Sequence, residues 1–407
     1  MFTKHTPRSF AARHLTGLAV ATVLALGCSS MPVQAAENLR DALDQALTRA
    51  GVDVTSVTAE ASSDTSSRRW LGGLPTLSMS YLGSDQTYGT DETEVSLSFP
   101  IKSPLQRNSD AQLNTVDPKL DAATRRYRAW YLSGTLRELY ARDRRAQAVL
   151  PAAMATSALL TELESQLQER LSAGSAERFE LIAVQRQRLD ADSTLARLRA
   201  EIAGVAHLYT SLTGDAALPE DSGDTAQIPQ QPLYAQHPRL LLLDLNQDQQ
   251  LASLRATSSS ATPWNIALVG RELAIPNFTE RQLGLAIDVP VSFGAKPSTA
   301  VRSSERALTR AYQMQRDETL IQLQGEWTRL QTEREQLLSR KSLLVNLIDA
   351  QAVDAMIEQT RNSLELPIEL RLQRMQALLD AQAEPDLVAA QLEANSAALR
   401  QLAGLGL

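Results

Sequence analysis

Residues 75–100 read PTLSMSYLGSDQTYGTDETEVSLSFP, and residues 263–290 read PWNIALVGRELAIPNFTERQLGLAIDVP. In the first stretch Leu77, Met79 and Tyr81 alternate with Thr76, Ser78 and Ser80. Val95, Leu97 and Phe99 then alternate with Glu94, Ser96 and Ser98. In the second stretch Trp264, Ile266 and Leu268 alternate with Asn265, Ala267 and Val269, and Leu283, Leu285, Ile287 and Val289 alternate with Gln282, Gly284, Ala286 and Asp288. Successive strand residues face opposite ways, so each run predicts a strand with one apolar face and one small or polar face. Pro263 lies 188 positions after Pro75, and Pro290 lies 190 positions after Pro100, which marks an internal duplication.

Long helical text follows each strand pair. From about Asp117 to Arg170 the stripe Leu132, Leu136, Leu139 and Ala146 recurs, and from Ser175 to Leu212 the residues Leu198, Ile202, Val205, Leu208 and Leu212 form a seam. LSAGS, residues 171–175, predicts the reversal between these two helices. A polar linker from Asp215 to Gln231 precedes a helix around Leu233 to Ala256. After the second strand pair, another helix runs from about Thr299 to Thr360 on Leu320, Leu323, Trp327, Leu330, Leu337 and Leu344. A turn near Arg361 to Ser363 then leads to a returning helix ending near Leu402, with bends expected at Pro367 and Pro385. FELIAVQRQRL, Phe179 to Leu189, aligns with IELRLQRMQAL, Ile368 to Leu378, at an offset of 189. A helix of roughly 50 residues spans about 75 Å, more than a compact monomeric domain needs.

The predicted organisation is a signal segment at 1–35, an N-terminal segment at 36–74 opening on the amphipathic NLRDALDQALTRA (38–50), and a strand pair at 75–99. A helical hairpin at 100–214, a linker and helix at 215–262, a second strand pair at 263–290, and a second hairpin with the C-terminal segment at 291–407 complete it. Lys4, Arg8 and Arg13 precede an apolar run from Leu15 to Leu26, a bacterial-type secretory signal. Cleavage near Ala35 and lipidation of Cys28, in the weak lipobox Ala25-Leu26-Gly27-Cys28, both remain open. The run is shorter than the roughly 20 residues of a membrane-spanning helix. No later stretch is continuously apolar over a span's length, which disfavours an α-helical membrane domain but leaves a β-barrel open.

Charge and composition exclude several functions. The formal charge is -7 across the 407 residues, and the export segment carries away three basic residues, so a nucleic-acid partner is disfavoured. One cysteine permits no internal disulfide. Four histidines, two of them in the export segment, make a His/Cys metal cluster unlikely to assemble. There is no Gly-x-Ser-x-Gly elbow, phosphate-binding loop or His-Glu-x-x-His motif, so neither an enzyme nor a cofactor is expected, and His207 reads as a packing or surface residue.

The repeated plan resembles the TolC-like outer-membrane efflux protein family, which includes the outer components of metal-cation and drug efflux systems. The likeness runs from Asn38 to Leu407. It is carried by NLRDALDQALTRA and by LYAQHPRLLLLDLNQDQQLASLRA (233–256), the segments that introduce each strand pair, with His237-Pro238 where that family often has Asn-Pro or His-Pro. Departures are Ala50-Gly51 in place of Asn-Pro, and Asn362-Ser363 at the second tip where the first has Ala173-Gly174.

The resemblance implies a mixed α+β chain contributing four strands per protomer to a trimeric, 12-stranded transmembrane β-barrel continuous with a long periplasmic α-helical barrel. It implies a homotrimer in outer-membrane lipid that works with a periplasmic adaptor and an inner-membrane pump to export small molecules or metal ions. On that reading Leu77, Met79, Tyr81, Val95, Leu97, Phe99, Trp264, Ile266, Leu268, Leu283, Leu285 and Ile287 face lipid. Gly83 to Asp91 and Glu272 to Glu280 are outward turns, and Pro100 and Pro290 mark where strands leave the sheet. Gly174, Ser175, Glu177, Glu180, Asn362, Ser363, Glu365 and Glu369 become candidates for adaptor contact and gating; the simpler reading makes them solvated helix-end residues. Competing architectures are an ordinary sheet attached to a coiled coil, a periplasmic coiled-coil adaptor or structural protein, and an uptake porin.

Overall fold

The computed structural model describes residues 36–52, 70–175, 177–232, 234–259, 264–289, 299–347, 350–362 and 367–407. The export segment with Cys28, as well as Pro263, Pro290, Ser363 and Glu365, lies outside them. In order come α1 (Leu39–Arg49), β1 (Thr76–Leu82), β2 (Asp91–Ile101), α2 (Pro104–Ser172), α3 (Arg178–Thr213), a single 3-10 turn (Tyr234–Gln236), α4 (Pro238–Ser259), β3 (Trp264–Ile275), β4 (Phe278–Asp288), α5 (Thr299–Leu347), α6 (Ala350–Asn362) and α7 (Ile368–Leu402).

The four strands form one antiparallel meander in the order β1-β2-β3-β4. Strands from both repeats therefore share one sheet. The predicted turn at Glu272 to Glu280 is corrected: both flanks are strand, and only Pro276 and Asn277 separate the paired Ile275 and Phe278. The charges that suggested a loop instead pair across the ladder, Arg281 with Glu272 at 2.8 Å and Arg271 with Glu94 at 2.8 Å. The first loop is also shorter than expected, because Asp91 opens β2 and accepts from the Ser84 N–H at 2.9 Å. Pro100 does not end its strand either; β2 continues to Ile101. Its missing N–H lies on the β1 side, beyond the Thr76↔Ser98 pair where the β1–β2 ladder stops.

Helix α2 is 69 residues long, about 100 Å at 1.5 Å per residue. The expected start at Asp117 is 13 residues too late. Ser103 caps the helix by accepting from the Gln106 N–H at 3.2 Å, and Pro104 occupies the first turn, where no N–H is needed. Pro118 and Pro151 both lie inside α2, and Pro385 lies inside α7. In α3 the buried stripe is Leu195, Leu198, Val205 and Tyr209; Leu208, expected on it, is 49% exposed because it stands one residue off the seam. Leu323, Trp327, Leu330 and Leu337 of α5 are buried as predicted. The helix expected from Thr299 to Thr360 is described as α5 to Leu347 and as α6 from Ala350, and residues 348–349 lie outside the described residues.

A waist holds the helices together. Leu39, Leu43 and Leu47 of α1 pack with Leu136, Leu139 and Tyr140 of α2 and Val205 and Tyr209 of α3. The segment read as a plain linker is a strap across this waist: Asp215 accepts from the Ala36 N–H at 2.9 Å, and the Glu220 carbonyl from the Tyr140 hydroxyl at 3.0 Å. Asp224, buried, receives Arg137 of α2 at 2.9 Å and Arg400 of α7 at 3.3 Å. Arg137 also donates to the Gln401 side chain and to the Leu405 carbonyl, both at 2.7 Å. Beside it, Trp130 sits edge-on to His237, ring centroids 5.0 Å apart. The His237 ring is 1% exposed, and burial, with Arg239 and Arg126 nearby, pushes its pKa down to about 4.

Asp224→Asn leaves two guanidinium groups at the waist without a counter-charge, so it should lower unfolding stability by about 3 kcal/mol, read as a fall in thermal midpoint. His237 binds a proton more readily when unfolded (about 6.5) than when folded (about 4). Its contribution is therefore intact above pH 6.5, declines as pH falls through that window and is gone below about 4. His237→Asn should remove this part of the pH profile, measured by denaturant midpoints from pH 8 to 4.

Candidate functional site

The register places all twelve apolar strand residues on one face of the sheet. Leu77, Leu97, Leu268 and Leu285 form one row across the four strands; Phe99, Ile266 and Ile287 form another; Met79, Val95, Gly270 and Leu283 a third. Tyr81 is level with Thr93, Glu272 and Arg281 at the loop end, while Trp264 pairs with Ile101 at the helix end. Among the described residues nothing covers most of this face: Leu283 is 86% exposed, Met79 75% and Leu77 69%, while Leu97, Phe99, Trp264 and Ile266 are half-buried.

The opposite face carries Ser78, Ser96, Val269 and Gly284 in one row and Ser80, Glu94, Arg271 and Gln282 in the next. Ser78 and Ser96 share a hydrogen bond of 2.6 Å, and Arg271 reaches both Glu92 and Glu94 at 2.8 Å. Leu82, Leu273, Ile275 and Phe278 are departures, large apolar residues on this side near the loops. Cross-strand partners satisfy the polar groups while leaving small side chains over most of the surface. Among the described residues β1 and β4 each keep one edge without a neighbouring strand.

At the far end of the helices, α2 reverses into α3 through a defined stop. Ala173 ends the helix, Gly174 takes φ +72, its N–H reaches the Leu171 carbonyl at 3.1 Å, and the Ser175 N–H returns to the Arg170 carbonyl at 2.8 Å. This is a Schellman motif, in which a left-handed residue closes the orphan carbonyls of the last turn. The same Ala-Gly stop recurs at Ala50-Gly51 after α1 and Ala403-Gly404 after α7, with Val52 bonding Leu47 and Leu405 bonding Arg400. Glu177 is exposed at the N-cap of α3 without a capping bond from its side chain, and Glu180 stands half-buried in the first turn. Asn362 is the last residue of α6, and Glu369 lies in the first turn of α7. Gly174, Ser175, Glu177 and Glu180 are thus brought together at one tip, while the second tip is described only up to Asn362 and from Pro367.

Between the two hairpins runs a groove of about 530 Å³, floored by Leu160, Leu198, Leu372 and Leu379 and rimmed by Asp190 and Arg340. Sequence reasoning missed this groove and the waist network, since neither leaves a local pattern. Among the described residues no group of three or more His, Cys, Asp or Glu is placed to hold a metal ion, and no helix is long and apolar enough to cross a membrane. His207 is exposed.

No family model and no curated protein matches the chain. Solved structures do. CusC, described in connection with conformational changes accompanying folding and transmembrane channel formation, is 14% identical with a TM-score of 0.62, over 91% of this chain and 92% of that one. The CmeC outer membrane channel of Campylobacter jejuni is 14% identical with a TM-score of 0.65, over 90% and 86%. The outer membrane protein VceC of Vibrio cholerae is 13% identical with a TM-score of 0.62, over 90% and 96%. At these identities the shared property is the fold, and the chain spans nearly the whole of each.

A side chain at Gly174 would strain its positive φ although no atom lies within 4 Å of an added Cβ. Gly174→Ala should therefore cost about 1 kcal/mol, from backbone strain alone, and limited proteolysis should cut faster between Leu171 and Glu177 than in the wild type.

Proposed function

We propose that this chain is the outer-membrane channel subunit of a tripartite efflux system, with three copies closing a twelve-stranded barrel around an aqueous pore. The observation that carries the reading is the single uncovered apolar face made by strands of both repeats, bounded by two free edges. In water such a face would be an aggregation liability; in lipid it is the required outer surface. Unpaired edge groups are costly in hydrocarbon, and in a four-strand meander β4 of one copy is antiparallel to β1 of the next, so sister chains can complete the ladder. Threefold closure is supported by the likeness to the solved channels.

The small and polar face then lines the lumen. The charged helices extend into the periplasm, where the tips, Gly174 to Glu180 on one hairpin and Asn362 to Glu369 on the other, meet an adaptor that links the channel to an inner-membrane pump. Solutes pass by diffusion through the conduit while the pump supplies the energy. Small molecules and metal ions are both compatible cargoes, and the sequence carries no ligand set selecting between them.

The chain should resist alkaline washing of outer membranes, require detergent for extraction, migrate with three times the protomer mass and give discrete conductance steps in planar bilayers. Release as a monomer by washing would favour the coiled-coil adaptor reading instead. Leu285→Arg should cost about 2–4 kcal/mol of insertion energy and sharply reduce assembled trimer in the membrane fraction. Ser96→Arg, on the opposite face, should leave trimer yield near wild type and change conductance.

A further inference from the structure

The first turn of α7 holds a charge that no partner among the described residues answers. Arg371 is 5% exposed, its Nε has no acceptor, and none of the described carboxylates forms an ion pair with it. The charged group acting on it among the described residues is Arg170, of the same sign, at the end of α2, whose own guanidinium reaches the Ser175 carbonyl at 3.4 Å. A buried guanidinium without a counter-ion is strongly unfavourable, and natural proteins keep one where a partner completes it.

Its surroundings define what that partner carries. Helical side chains lean toward the N-terminus, so the Arg371 side chain lies over the opening turn of α7. Pro367 caps that turn without a side-chain acceptor, leaving the first N–H groups of a 35-residue helix, with their partial positive charge, facing the same place. The turn is held firmly, because Ile368 and Leu372 pack on Leu160, Leu163 and Leu167 of α2 and Val184 of α3. Large apolar side chains stay uncovered at this end: Phe179 is 66% exposed, Ile182 56% and Leu370 38%. A free anion would leave them wet, whereas a protein surface would cover them.

We propose that Arg371, with Arg170 and the open start of α7, receives a carboxylate of the docking protein: an Asp or Glu on the periplasmic adaptor, flanked by apolar residues that cover Phe179 and Ile182. This assignment rests on the channel reading and names the chemistry of its docking contact. It also gives the tip an opposite sign from the one the acidic residues Glu177 and Glu180 suggest, since the buried charge is positive.

The test uses full-length chains carrying Arg371→Met, Arg371→Lys and Arg371→Glu, expressed in cells that lack the native copy. The Met variant, having lost a charge that the free channel does not pair, should form conducting trimers with an unchanged or higher thermal midpoint while efflux falls about tenfold. The Lys variant should keep most of the efflux, and the Glu variant should lose it. Suppressors of the Glu variant should be Asp or Glu changes to Lys or Arg in the adaptor. Wild-type efflux from both the Met and Glu variants, or suppressors confined to carboxylates of this chain, would overturn the proposal. So would a rise in thermal midpoint with inorganic phosphate that the Met variant lacks while its efflux stays normal, because that result assigns the site to a free anion. Failure of the wild type to conduct as a trimer would strike the channel reading, which the Met variant's efflux does not address.

Discussion

Because a strand shows its side chains alternately to two sides, sliding any one ladder by a single residue would move that strand's apolar set to the other face. The three registers Leu77↔Leu97, Leu97↔Leu268 and Leu268↔Leu285 are therefore what the rest of the molecule depends on. The middle one joins strands whose paired leucines are 171 residues apart in the chain. The registers also make a surface with two chemistries, apolar on one side and mostly small or polar on the other, that no other described element covers.

The helices solve a different problem. The four long ones, α2, α3, α5 and α7, are too polar to stand in hydrocarbon and too long for a compact core, so stability has to come from lateral seams between neighbours. α2 is the common member, packing on α1, α3, α4 and α7. Its partners are fixed to it by apolar clusters at two levels, one at the waist around Leu136 and one near the tips around Leu163. Between those levels the contacts thin to a groove, which leaves the two hairpins distinct from one another.

Much of this could be read from the residues, because strand alternation, the paired prolines and the Leu–Trp–Leu seam of α5 are local patterns with a definite period. The misreadings have local causes as well. The start of α2 reads late because residues 104–116 carry few apolar side chains, and Pro118 lies inside a helix of 69 residues, where the loss of one bond is small beside the packing of the whole length. Glu272 and Glu280 looked like loop residues because their cross-strand partners Arg281 and Leu273 were unknown until the register was. Asp221 to Ala226 looked inert because a strap gains its meaning from Arg137 and Arg400, 87 and 176 positions away from Asp224. Arg371 gave no signal at all: in the sequence it is one more basic residue on a helix.

The shared carboxylate of Asp224 has a mechanical meaning. Sliding α7 along α2 by one helical turn would separate Arg400 from Asp224, and Gln401 from both Arg137 and the Trp130 carbonyl, all at once. A second clamp holds the other end of the same helix, where Ile368 and Leu372 are buried with Leu160, Leu163 and Leu167 of α2 and Val184 of α3. The two clamps stand roughly 50 Å apart at about 1.5 Å per residue. A tilt of α7 alone by about 5° about the waist would carry Ile368 through roughly 4 Å by that same geometry and out of its cluster, so α7 is a strut braced at both ends that shifts only together with α2 and α3.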